Sequence, residues 1–391
     1  MPFALYMLAL AVFVMGTSEF MLAGLLPAIA TDLEVSVGTA GLLTSAFAVG
    51  MVIGAPVMAA FARRWPPRLT LIVCLVVFAG SHVIAAMTPA FHILLITRVL
   101  SALANAGFLA VALSTATTLV PANQKGRALS ILLSGTTIST VVGVPAGAML
   151  GTALGWRTTF WAIAILCVPA AGGVIRGVTT TAGRSATGAA SPRLRAELGQ
   201  LARPRLILAM ALGALINGAT FAAFTFLAPV VTKTADLADG WVSVALVMFG
   251  IGSFLGVTLA GRLSDHRPGL VLAVGGPLLL TGWIVLAVVA FHPVALLVLV
   301  LTQGFLSFGV GSTLITRVLY ASSGAPTMSG SYATAALNIG AATGPVMGAF
   351  ALATGKGPLA PVWVACGLTA IALVIMLIAG RSLTKSAAEA H

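Results

Sequence analysis

The chain has 391 residues, 59% hydrophobic and 7% charged, with a mean hydropathy of +1.11. Soluble domains carry about 25% charged residues, so this composition cannot supply a water-facing coat, and most of the chain must lie in lipid. The net charge of +12 reads as a nucleic-acid signal only until the basic residues are placed along the sequence.

The N-terminus, MPFALYMLALAVF, has no basic leader and is read as a first membrane span rather than a cleaved signal peptide. A membrane helix needs about 20 apolar residues to cross about 30 Å of hydrocarbon. Twelve runs qualify, at 4–26, 38–62, 69–87, 91–118, 127–150, 157–176, 205–230, 241–262, 268–290, 293–316, 327–352 and 360–380. The breaks between them are short, such as RRWPPR at 63–68 and PANQKGR at 121–127. One break is long: residues 177–204, rich in Thr, Ala, Gly and Arg, read as a cytoplasmic linker. It separates a first six-helix half, 1–176, from a second, 205–391. The expected fold is an all-α polytopic membrane protein of twelve transmembrane helices.

With the N-terminus in the cytoplasm, sixteen Lys and Arg fall on cytoplasmic segments and three, Arg157, Lys233 and Lys356, on outer ones. That positive-inside bias predicts a multi-pass inner (plasma) membrane protein with both termini cytoplasmic. The positive charge then reports topology and contact with the lipid bilayer, and no nucleic-acid partner is expected. Cys74, Cys167 and Cys366 each lie alone in an apolar run, so neither a disulfide nor a metal site is expected.

The two halves repeat. Gly16 and Pro27 recur as Gly218 and Pro229, Gly50 and Gly54 as Gly252 and Gly256, and Pro66 as Pro268, all at an offset of 202; Pro145 recurs as Pro345 at 200. Two similar units facing each other suit alternating access, with a site near the bilayer midplane.

Three segments, GTSEFMLAGLLPAIATDLEVS (16–36), AGLLTSAFAVGMVIGAPV (40–57) and GVPAGAMLGTALGWRTTFW (143–161), resemble the major facilitator superfamily, in particular its twelve-span drug/proton antiporters. The resemblance is nearest to the chloramphenicol-resistance exporters of actinomycetes. The family's loop motif is degenerate between spans 2 and 3, where Ala59 and Arg63 stand for its Gly and Asp. It is better kept in the second half as Gly261, Leu263, Asp265 and Arg267. The antiporter motif survives in span 5 as Gly135, Gly143, Pro145, Gly147 and Gly151, and in span 11 as Gly340, Gly344, Pro345 and Gly348. The resemblance implies conformational roles for Gly143, Pro145, Gly147, Gly261, Asp265, Arg267, Gly344 and Pro345. Close helix packing explains the glycines equally well.

Of eight acidic residues only Glu19 lies inside a span, and Arg98 in span 4 is the matching buried cation. An ionisable group in hydrocarbon costs a few kcal/mol even on the lenient insertion scale, which favours function. Both lie seven residues from the outer end of their helices, roughly 10 Å deep at 1.5 Å per residue. A carboxyl that burial keeps neutral and a nearby cation favours ionised can alternate between the two forms. Glu19 and Arg98 are therefore the expected proton-coupling pair, meeting directly or through water, with His82 in span 3 as a fallback.

By the family pattern spans 1, 4, 7 and 10 line the cavity. Asn105, Asn217, Phe221, Phe224, Gln303 and Phe305, with Asn338 of span 11, are then the candidate substrate contacts, and Phe308 stands beside them. Amides and rings suit a small, neutral, partly aromatic compound. The expected function is proton-coupled efflux of such a compound, chloramphenicol first, by a monomer needing no cofactor. A sugar or nucleoside exporter and a nutrient uptake symporter are rivals on the same fold. An enzyme is not expected, because one buried acid with no His cluster and no Ser/His/Asp set leaves little to catalyse with.

Overall fold

In lipid every backbone N–H and C=O must be satisfied within the segment, so long apolar runs become helices. The computed structural model describes residues 1–61, 65–121, 124–178, 199–264, 268–325 and 328–388. Twelve helices in it are long and apolar enough to cross a membrane. Most follow the hydropathy limits closely: Val37–Phe61, Pro67–Met87, Phe91–Thr118 and Trp156–Gly177 are spans 2, 3, 4 and 6. Gly240–Ser264, Pro268–Val289, Pro293–Ala321, Ser329–Ala353 and Ala360–Ala388 are spans 8 to 12. Large apolar side chains such as Val168 (69% exposed) and Val294 (76% exposed) point outward, as lipid-facing positions do.

Three spans are broken helices. Span 1 runs Phe3–Phe20, turns at Met21 and resumes as Leu22–Asp32. Span 5 runs Lys125–Ile138, widens into a π turn at Ser139–Gly143 and continues as Val144–Leu154. The Val144 N–H reaches back five residues to the Ser139 carbonyl, and Pro145, which has no N–H to give, follows at once. Span 7 runs Pro204–Thr225, then Leu227–Pro229, and ends in a π turn at Val230–Thr234 beyond its own proline.

The repeat read in the sequence reappears as packing. Gly50 and Gly54 of span 2 lie on Val99 and Leu103 of span 4, and Gly252 and Gly256 of span 8 lie on Leu301 and Phe305 of span 10. Each contact recurs 202 residues on. A Cβ on Gly252 or Gly256 would run into the Leu301 or Phe305 carbonyl, so these helices touch backbone to backbone. Likewise Gly135 and Gly143 of span 5 meet Ala9 and Thr17 of span 1, while Gly340 and Gly344 of span 11 meet Ala214 and Gly218 of span 7.

The first six spans meet the last six along three seams. Span 2 packs along span 11, with Gly38 against Ala349. Span 8 packs on the π turn and the later part of span 5, with Gly250 against the Thr140 and Val141 backbone. Span 1 meets span 7 through Phe20, whose ring centre lies 5.7 Å from that of Phe221 and 6.3 Å from that of Phe224. At the end of the bundle away from the termini, Asp32 of span 1 pairs with Arg157 of span 6 and accepts from the Trp156 indole at 3.3 Å. Arg157 also donates to the Thr88 carbonyl at 3.2 Å and lies over the Trp156 ring.

Asp265, Arg267 and Arg63 lie outside the described residues, as does most of the linker, and Gly261 falls within span 8.

Candidate functional site

Glu19 stands two residues before the turn in span 1 and is half-buried. Residues three and four apart share a helix face, and its neighbours on that face, Met15, Gly16, Leu22 and Ala23, are all buried. The carboxyl therefore looks into the bundle rather than toward lipid. Arg98 is 1% exposed and within electrostatic range of Glu19, but it makes no ion pair with it.

The arginine instead grips the residue next door. One guanidinium N–H donates to Ser18 Oγ at 2.8 Å and another to the Ser18 carbonyl at 2.9 Å. Ser18 Oγ lies 2.6 Å from His82 Nε2, and His82 Nδ1 lies 2.7 Å from the Phe78 carbonyl. A carbonyl only accepts, so Nδ1 carries the ring proton. Nε2 is then the acceptor for the Ser18 hydroxyl, whose lone pair receives Arg98. The chain runs one way: Arg98 to Ser18 to His82 to Phe78. It ties spans 4, 1 and 3 together, all four side chains being buried. The arginine plane also sits over the Phe47 ring of span 2, 4.4 Å from its centre, and its Nε has no partner. The cation is thus held by a hydroxyl, a carbonyl and a ring face, with no carboxylate in contact.

Beside Glu19, Phe20 begins a run of rings crossing the seam between the two sets of spans. Phe221 and Phe224 are 6.2 Å apart, Phe224 and Phe249 4.5 Å, and Phe249 and Phe308 5.9 Å. Phe20, Phe224, Phe249 and Phe308, with Thr140, Val144 and Leu246, enclose a small hollow. A second hollow, which shares Phe224 and Phe249 with the first, is lined by Trp283, Val300 and Gln303 among others.

The other expected contacts are placed as follows. Asn105 is buried and its amide N–H meets Met51 Sδ at 3.6 Å. Asn217 donates to the Leu337 carbonyl at 2.7 Å, joining spans 7 and 11, and Asn338 donates to Thr334 one turn back in its own helix. Phe305 sits in the seam of spans 8 and 10, its backbone against Gly252 and Gly256, and takes no part in the ring cluster. Gly143 and Gly147 face span 1 at Thr17 and Met21, two residues either side of Glu19 in sequence, so the span 5 motif packs on the helix face turned away from Glu19. Gly344 faces the Gly218 backbone, with buried Pro345 beside it.

Sequence reading passed over Ser18, Phe20, Phe47, Phe249 and Trp283. Phe20 adjoins the buried acid and carried a signal; Phe249 and Trp283 lie on spans outside the four taken to line the cavity. Among the described residues no group of three or more His, Cys, Asp or Glu could hold a metal ion.

A twelve-span bundle with repeated halves, a lone internal acid and an aromatic seam between the halves defines a membrane carrier, and residues 8–336 match the Major Facilitator Superfamily. The chain belongs to that family. It is 62% identical to a chloramphenicol resistance protein of Streptomyces lividans over 96% of this chain and 95% of the relative. It is 32% identical to the inner membrane transport protein YdhP of Escherichia coli K12, over 100% and 99% of the two chains. Among solved structures, a bacterial homologue of the human lysosomal transporter Spinster, inward-facing and unoccupied, superposes with a TM-score of 0.69. That match covers 96% of this chain and 94% of the other at 19% identity, a likeness of fold.

Proposed function

We propose that this protein exports a small, neutral, partly aromatic compound, chloramphenicol foremost, in exchange for protons. The observation that carries the proposal is the position of Glu19. Glu19, the one acid set well inside an apolar run of the sequence, is half-buried, faces the bundle interior and adjoins the ring cluster at the seam of the two halves. Phe20, Phe221, Phe224 and Phe249 offer faces and edges on which a flat ring can stack.

In this reading Glu19 carries the proton, and Arg98 supplies a fixed field that favours the ionised carboxylate without neutralising it by contact. The Ser18–His82 chain keeps Arg98 in place while Glu19 changes charge. A protonated Glu19 removes a buried charge from the seam and lets the halves rearrange; release of the proton on the other side restores it. The bias of Lys and Arg toward one end of the bundle supports a plasma-membrane protein with that end, and both termini, in the cytoplasm. The division into a 1–176 half, a 177–204 linker and a 205–391 half belongs to the same proposal, as does a monomer working without a cofactor. Exchange of one proton for one neutral molecule moves net charge, so export should respond to membrane potential as well as to a pH gradient.

The test is expression in drug-sensitive bacteria with chloramphenicol accumulation measured with and without an uncoupler. The wild-type chain lowers accumulation and the uncoupler restores it. Glu19→Gln reaches the membrane at a normal level and no longer lowers accumulation. Full export by that variant removes Glu19 from the mechanism; uncoupler-insensitive export removes the proton.

A further inference from the structure

Spans 5 and 8 run antiparallel and touch along only part of their length. Ala148 and Leu246 meet beside Gly24, and Gly250 rests on the Thr140 and Val141 backbone. Span 8 therefore packs on Val144–Leu154 and on the π turn, and among the described residues that packing does not run on along Lys125–Ile138. The opposite flank is closed throughout. There span 2 follows span 11 from end to end, with Gly38 on Ala349, Ala48 in one buried cluster with Ala341, and the Ser331 hydroxyl donating to the Ala55 carbonyl at 3.5 Å. The two sets of spans thus part on one side only, between the π turn and the end of the bundle that carries the termini.

Residues three, four and seven apart share a helix face. Beyond the last contact, span 5 turns Thr137, Leu133 and Ser130 toward span 8, and span 8 turns Phe254, Val257 and Thr258 toward span 5. Leu133, Phe254 and Val257 are 44%, 47% and 43% exposed, so nothing in the protein covers them. The Ser130 and Thr258 hydroxyls donate to the Gly126 and Phe254 carbonyls of their own helices, at 3.0 Å and 2.7 Å. Their hydrogens are spent, and none of the six side chains is charged. An acyl chain fits such walls without leaving a polar group unpaired.

The mouth of this gap is basic. Lys125 and Arg127 stand in the first turn of span 5, and Arg262 in the last turn of span 8, all exposed. In sequence the one acid near these ends is Asp265, against Lys125, Arg127, Arg262 and Arg267. A basic pocket between membrane helices attracts anionic headgroups, and each Lys or Arg near the surface adds about 1 kcal/mol, or about 5-fold in affinity.

We propose that the gap between the terminus-side halves of spans 5 and 8 is a binding site for an anionic phospholipid of the phosphatidylglycerol kind. One acyl chain lies between Leu133 and the Phe254–Val257 face, and the phosphate sits at Lys125, Arg127 and Arg262. The site is independent of which compound is exported; the proposed orientation decides only that the cytoplasmic leaflet supplies the lipid.

The test uses the purified full chain in phosphatidylcholine–phosphatidylglycerol vesicles, with a bimane maleimide on Val257→Cys. Cys74, Cys167 and Cys366 are buried and free, so the label goes to position 257. Quenching is compared for phosphatidylglycerol and phosphatidylcholine that carry a nitroxide on the acyl chain, and the two titrations give the preference for the anionic lipid. Leu259→Cys is the reference, since Leu259 is 52% exposed, about 3 Å away along the axis and about 200° around it. At position 257 phosphatidylglycerol should be preferred at least about 5-fold more strongly than at position 259. Arg127→Gln or Arg262→Gln, added to Val257→Cys, should each lower that preference about 5-fold, and added salt should weaken it. Equal preference at 257 and 259 means ordinary boundary lipid and overturns the site. So does a preference that survives both Arg changes together, or a label at 257 that aqueous iodide quenches and neither lipid does.

Discussion

Replacing Ser18 by alanine tests the buried chain from Arg98 to His82. The hydroxyl serves both neighbours at once, receiving an Arg98 N–H at 2.8 Å and standing 2.6 Å from His82 Nε2. A hydrogen bond to a charged group contributes about 1.5–3 kcal/mol. A neutral side-chain bond between membrane helices contributes about 0.6 kcal/mol on average. The second Arg98 bond survives, because it goes to the Ser18 backbone carbonyl. Ser18→Ala should therefore lose about 2–4 kcal/mol of unfolding free energy, measured by denaturant titration in mild detergent. His82→Leu should cost less, since Arg98 keeps both its Ser18 acceptors. The double variant should fall short of the sum of the singles by about 0.5–1 kcal/mol, the coupling expected of neighbours in one network. A Ser18→Ala protein within about 0.5 kcal/mol of wild type, the range of an ordinary surface change, would show that Arg98 is anchored by something other than Ser18.

Gly256→Val should separate spans 8 and 10, because the added carbons meet the Phe305 backbone; overpacking of this kind costs about 1–3 kcal/mol and is read as a lower denaturation midpoint, whereas Gly80→Ala, with open space at its Cβ, should leave the midpoint unchanged. Arg157→Ala removes a pair whose side chains are 34% and 42% exposed, so the change in unfolding free energy should stay near 0–1 kcal/mol and shrink as salt is added. Cys74, Cys167 and Cys366 are buried and free, so a maleimide should label none of them in the folded protein and all three once it is denatured.

Hydropathy alone located the spans, because a helix in lipid must satisfy its own backbone and its length is set by the bilayer. Residues 91–118 read as a span and fold as the helix Phe91–Thr118; 157–176 folds as Trp156–Gly177. The offset of 202 was also legible, since close-packed glycines leave their spacing in the sequence, as Gly50 and Gly54 do on span 4 and Gly252 and Gly256 on span 10. So was the oddity of Glu19, an acid where composition allows none other. The breaks were not: nothing in the hydropathy of span 1 marks a turn at Met21, and nothing in that of span 5 marks the π turn at Ser139–Gly143 ahead of Pro145.

The partner of Arg98 was decided only by the folded chain. Depth along a helix can be counted from sequence, at about 1.5 Å per residue, but consecutive residues also turn by about 100° around the axis. Ser18 and Glu19 are thus nearly level and point in different directions, and span 4 approaches the face that carries Ser18. The same holds for Trp283: its span was counted correctly, yet only packing against span 10 turns that indole inward beside Gln303. Composition fixed that this chain crosses a membrane twelve times, because apolar length is a one-dimensional property. Which side chains meet inside the bundle is set by rotation and crossing of whole helices, and that belongs to the tertiary structure.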